Sequence, residues 1–80
     1  MEWLELYNNL SERVCVSHTK VGSYYVTHIR LFGENISSWG MITENEEVCY
    51  EEYVGDFPNI HESLEEMKKC AEADFLKRTD

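Results

Sequence analysis

Tyr24-Tyr25-Val26-Thr27-His28-Ile29-Arg30-Leu31-Phe32 is the stretch on which the fold turns. β-Branched and aromatic residues dominate it. Strict alternation puts Tyr25, Thr27, Ile29 and Leu31 on one face and Tyr24, Val26, His28, Arg30 and Phe32 on the other. This is the pattern of a sheet strand with two distinct faces. Upstream, Arg13 to Thr19 shows the same period, with Val14 and Val16 against Cys15 and Ser17. Between the two runs, Lys20-Val21-Gly22-Ser23 supplies a turn in which Gly22 is free to take a positive φ, so the pair reads as an antiparallel hairpin.

Downstream, Gly33-Glu34-Asn35 makes a second turn and about Ile36 to Thr43 a third strand, with Trp39 and Met41 on one side and Ile36 on the other. Gly40 inside that strand marks a bulge. After the polar turn Glu44-Asn45-Glu46, a fourth strand from Glu47 to Val54 alternates Val48, Tyr50 and Val54 with Cys49, Glu51 and Tyr53, and Gly55-Asp56 ends it.

Helical patterns flank the strands. Pro58 and the cap Asn59, with Glu62 three residues on, open the last element; Ser63 and Glu66 repeat the arrangement one turn later. Ile60, Leu64, Met67, Ala71 and Phe75 form a single stripe, with carboxylates early and Lys68, Lys69, Lys77 and Arg78 late, as the helix dipole favours. The opening segment, Glu2 to about Glu12, reads as a short helix with Trp3, Tyr7 and Leu10 at helical spacing and Leu4 and Leu6 broadening the stripe. The expected fold is therefore α+β over a single domain, residues 1–80: a four-stranded antiparallel meander with N- and C-terminal helices packed on one face, in the order α-β-β-β-β-α.

Composition narrows the function. Eighty residues carry sixteen acids against seven bases, a formal charge of −9, with 42% apolar content. That apolar content places the chain outside the disordered class, and its length leaves little room for a deep catalytic cavity. The charge argues against direct nucleic-acid binding and against an anionic membrane surface. Cys15, Cys49 and Cys70 are odd in number and far apart, which points away from a disulfide scaffold and towards a reducing cytoplasm; no leader or spanning segment is read.

Catalytic templates fail: no phosphate loop, dinucleotide fingerprint or nucleophile elbow occurs, and Cys15 and His18 fall on opposite faces of a strand. His18, His28, His61 and the cysteines lack the close ligand pairs of a zinc site, although His18 and His28 are placed to face each other across the first hairpin. The expectation is a non-enzymatic protein with no cofactor and no metal.

Charge is segregated along the chain. From Leu31 to Met67 there is no Lys or Arg, and the acids are densest around the fourth strand. Glu44, Glu46, Glu47, Glu51, Glu52 and Asp56, with Tyr50 and Tyr53 among them, are the candidate partner-binding residues: an acidic face for a basic surface on another protein. The alternative is a self-associating module, with Tyr24, Phe32 and Trp39 as the candidate homodimer face on a side of the sheet left open by the helices.

Ser63-Leu64-Glu65-Glu66-Met67-Lys68, followed by Ala71-Glu72-Ala73-Asp74, resembles the C-terminal helix of a group of small phage and prophage proteins; Tyr24-Tyr25-Val26 and Leu31-Phe32-Gly33 are similar to the short strands that precede it there. Met67 stands where that pattern has alanine. The resemblance implies a mobile-element origin. By analogy with small acidic phage inhibitors, anti-CRISPR proteins among them, it implies a nucleic-acid-mimicking inhibitor of a host defence complex.

Overall fold

The computed structural model describes residues 1–9, 11–43, 47–54 and 60–79, and for Leu31, Glu47–Val54 and residues 60 and 61 it gives the backbone alone. Among these residues, five strands, β1 (Leu4–Asn8), β2 (Glu12–Thr19), β3 (Gly22–Leu31), β4 (Glu34–Ile42) and β5 (Glu47–Val54), precede one helix, α1 (Ile60–Thr79). The strands form a single antiparallel meander in the order β1-β2-β3-β4-β5. The class is α+β, as the periodicity implied.

Among the described residues, the expected N-terminal helix is not found. Leu4–Asn8 is an edge strand on β2, with Leu4 opposite Val16 and Tyr7 opposite Val14. Leu4-Glu5-Leu6-Tyr7 satisfies a period of two as well as one of 3.6, and an isolated helix of this length is marginal in water. The asparagines decide the matter. Asn9 Oδ1 accepts from the backbone amides of Ser11 and Glu12, both at 2.9 Å, and the Asn9 amide donates to the Glu12 carbonyl at 2.9 Å. This side-chain-stabilised turn folds β1 back onto β2. The sheet therefore gains a fifth strand and loses one of its two expected covers.

The other turns are tighter than the sequence suggests. Thr19 pairs with Gly22, leaving a two-residue loop of Lys20 and Val21. Leu31 pairs with Glu34, so β3 stops one residue before Phe32; Phe32 and Gly33 have φ of 51° and 79°. Two positive φ values at the loop centre are the type I′ geometry that matches the twist of a hairpin. The register of β4 with β5 shifts between Trp39 and Gly40, but the extra residue is Tyr50 on β5, so the bulge lies opposite Gly40 and not within its strand.

Helix α1 lies across β3 and β4. Leu64, Met67 and Ala71 are buried beneath it, with Phe75 and Cys70 partly so, against Cys15, Tyr24, Val26, Trp39 and Met41 from the sheet. Glu62 lies in its first turn and Lys77 and Arg78 in its last; the expected caps at Pro58 and Asn59 lie outside the described residues. At the far end, the Tyr24 hydroxyl donates to Asp74 Oδ2 at 2.5 Å, and the Tyr24 ring meets Phe75 edge-on at 6.3 Å.

Candidate functional site

Register sorts the side chains into two faces, because directly opposed residues project to the same side. On the helix side are Arg13, Cys15 and Ser17 from β2, Tyr24, Val26 and His28 from β3, and Ser37, Trp39 and Met41 from β4. On the other side are Leu4 and Tyr7, Val14 and Val16, Tyr25, Thr27 and Ile29, and Ile36, Ser38 and Ile42. Strand β2 thus gives both valines to the side away from the helix.

Among the described residues, no helix packs on that second side. Ile29 is 38% exposed and Ile42 43%, and Leu4 and Tyr7 are exposed at the β1 edge. Thr27 and Ser38 satisfy each other across the ladder at 2.6 Å. By register, the carboxylates on this face are Glu12 and Glu34 at the ends of β2 and β4, and Glu47 and Glu52 on the edge strand β5. Between their ends, the three central strands β2 to β4 place no charged residue on this face.

The candidate dimer residues fall elsewhere. Tyr24 is fully buried and Trp39 nearly so, both under α1, because the helix covers the face with the bulkiest side chains. Phe32 stands 97% exposed at the tip of the β3–β4 turn. An open apolar face exists, built from the opposite residues.

Of the acidic candidates, Glu44, Glu46 and Asp56 lie outside the described residues. Glu47, Tyr50, Glu51, Glu52 and Tyr53 lie on β5, the edge strand opposite β1. Glu51 takes the register position opposite Trp39, Glu52 that opposite Ser38 and Tyr53 that opposite Ser37; Tyr50 falls at the bulge.

The helix side is unusually polar for a core. His28 is 1% exposed, and Ser17, Ser37 and Ser63 are buried with it. This corrects the expectation that His18 and His28 face each other across the hairpin. His18 is exposed and its Nδ1 meets Ser23 Oγ at 2.8 Å, whereas His28 lies opposite Arg13. Ser37 and Ser63 share a hydrogen bond between sheet and helix, and His28 Nε2 meets Asn35 Oδ1 at 3.1 Å. With that carbonyl as acceptor, Nε2 carries the proton and Nδ1 is left a bare acceptor without a donor among the described residues.

A cleft of about 280 Å³ opens where β1 and β2 emerge beside α1, lined by Trp3, Glu5, Arg13, Cys15, Leu64, Glu65 and Lys68. Lys68 Nζ lies 5.9 Å from the Trp3 ring centroid and 3.5 Å from Glu65 Oε1. Trp3 Nε1 and Arg13 Nε are buried in its wall with no hydrogen-bond partner among the described residues. Burial pushes the Cys15 thiol above its ordinary pKa; Lys68 and Arg13 oppose this and Glu5 and Glu65 add to it. A protonated thiol is a poor nucleophile. It was invisible in sequence because its walls come from three separated segments. One local signal existed, namely Arg13 in phase with the inward Cys15.

Among the described residues, no group of three or more His, Cys, Asp or Glu is placed to hold a metal ion, and no helix is long and apolar enough to cross a membrane. No protein-family model, no curated protein and no solved structure matches the chain.

Proposed function

We propose that this is a non-enzymatic protein-association module that works through the open face of its sheet, and that the face takes a second copy of the chain. One observation carries the reading: Val14, Tyr25, Ile29, Ile36 and Ile42, half-buried or exposed around a buried Val16, share a face that no described helix covers, while the covered face holds Arg13, Ser17, His28 and Ser37. A sheet that leaves so apolar a side to water is half of a sandwich. An uncharged centre on a chain of net charge −9 fits another uncharged centre better than it fits a basic partner. Two-fold stacking is self-complementary by construction.

The available area is modest. Five strands about 4.8 Å apart and about six residues long at about 3.3 Å each present roughly 500 Å² per copy, or about 1,000 Å² in total, the lower bound for a specific interface. The expected dimer is accordingly weak, with a Kd on the order of 10 μM. Sedimentation equilibrium across that range tests it. The wild type should dimerise and Ile29→Lys with Ile42→Lys should remain monomeric with unchanged circular dichroism. A wild type that stays monomeric well above that range refutes the reading.

A second reading is favoured by the absence of Lys and Arg from Leu31 to Met67. In it, Glu44, Glu46, Glu47, Glu51, Glu52 and Asp56 stand in for phosphates before a basic, nucleic-acid-binding surface, as in a phage-encoded inhibitor of a host defence complex. Reversal of Glu47, Glu51 and Glu52 to Lys, followed by pull-down from bacterial lysate at low salt, tests it. Unchanged recovery of nucleic-acid-handling proteins would sink it.

A further inference from the structure

We propose that the cleft between β1, β2 and α1 binds a small monocarboxylate with an apolar body, held by the indole N–H of Trp3 and the guanidinium of Arg13. The inference starts from two orphaned donors. Trp3 Nε1 and Arg13 Nε are buried without acceptors, and neither group can itself accept a hydrogen bond. A buried donor left unmade costs about 1–3 kcal/mol, and both donors belong to residues that line this one cleft, which favours a ligand that brings acceptor oxygens. A carboxylate supplies two, and guanidinium favours that planar geometry.

The rest of the lining selects within that class. Lys68 places a second cation at the cleft, beside the Trp3 ring. Glu5 and Glu65 also line it, and they oppose a dianion such as phosphate more strongly than a monoanion. Trp3 and Leu64 offer apolar surface to the ligand's body, and about 280 Å³ holds an aromatic acid of single-ring size. The site faces away from the open side of the sheet, so its occupation is independent of dimerisation.

Benzoate is the probe, titrated into the ¹⁵N-labelled full chain while the Trp3 indole N–H resonance is followed, with Trp3→Phe used only to assign that peak. The expected result is a saturable shift with a Kd of about 1–10 mM, and binding of benzyl alcohol and inorganic phosphate at least about 10-fold weaker. Arg13→Met should weaken benzoate about 10-fold or more, while Glu5→Gln, which removes a repelling charge, should tighten it about two- to five-fold. No saturable shift at Trp3 by about 50 mM benzoate, or equal shifts from benzyl alcohol or phosphate, overturns the proposal. So does wild-type affinity in Arg13→Met. If that variant fails to fold, Glu5→Gln decides: unchanged or weaker binding overturns it.

Discussion

Removing one oxygen atom, in Tyr24→Phe, tests how the helix is locked to the sheet. The ring and its edge-on contact with Phe75 at 6.3 Å and 87° survive the change. What is lost is the 2.5 Å hydrogen bond to Asp74 Oδ2, an oxygen that also accepts from Arg78 Nε at 2.7 Å. A hydrogen bond to a charged group contributes about 1.5–3 kcal/mol, and the Asp74 side chain keeps 20% exposure, so the low end applies, about 1.5 kcal/mol. The magnitude depends on pH. Burial raises the Asp74 pKa, but the hydrogen bonds from Tyr24 and Arg78 and the charges of Arg78 and Lys77 more than offset it and hold the carboxyl below its ordinary value. A depressed folded-state pKa stabilises the fold above the unfolded pKa, and that stability is lost as pH falls through the folded pKa. The two proteins should therefore differ by the full amount at pH 7 and converge as pH falls below about 4. Urea titration followed by circular dichroism reads this: with a slope near 1 kcal/mol/M, the midpoints should separate by about 1.5 M at pH 7. A gap that is the same at pH 7 and at the lowest pH where both still unfold cooperatively would refute the ion-linked account. A gap under about 0.5 kcal/mol at pH 7 would refute the magnitude.

Two further substitutions probe the turns. Phe32→Asn should stabilise by about 0.5–1 kcal/mol, raising Tm by about 2–8 °C in calorimetry, because Phe32 sits at φ 51° with 97% of its surface exposed and Asn-Gly is the preferred type I′ pair. Gly22→Ala should destabilise by about 2 kcal/mol or more in the same assay, since a Cβ there would come within 2.7 Å of Met41 Cε and 2.9 Å of the Ile42 carbonyl at φ 148°.

The parts of the fold legible in sequence were those where one period excludes the other. Tyr24–Leu31 alternates too long to be a helix, and Leu64, Met67 and Ala71 recur too regularly at 3.6 to be a strand. Trp3 to Tyr7 fits both periods, and what decides it is outside the segment: the amide-binding Asn9 turn and the free edge of β2. The same limit hid the surfaces. Alternation separates Tyr24 from Tyr25 and Cys15 from Val14, but it carries no sign saying which set meets the helix. The chain places Tyr24, Trp39 and Met41 under α1 and leaves a largely β-branched set with Tyr25 outside. Glu51 and Glu52 likewise look like one acidic cluster in a line of text, yet their register positions fall opposite Trp39 and Ser38, on different sides of the sheet.

Salt separates the two proposed modes of association because it acts on them with opposite sign. Two copies, each of net charge −9, repel at long range, while the centre of the open face contributes no ion pair that salt would weaken. Raising ionic strength from 0.05 to 0.5 M shortens the Debye length from roughly 14 to 4 Å and removes most of that repulsion. The apolar contact is unaffected or slightly strengthened. Self-association should then tighten by several-fold over this range, and Ile29→Lys with Ile42→Lys should abolish the effect along with the dimer. Carboxylates meeting a basic surface behave in reverse: their attraction is screened, the on-rate falls, and affinity drops about 10-fold or more. Sedimentation of the chain alone at both salt concentrations is sufficient. A dimer that dissociates as salt rises would mean that charge pairs hold it together, and the uncharged face would then be the wrong surface.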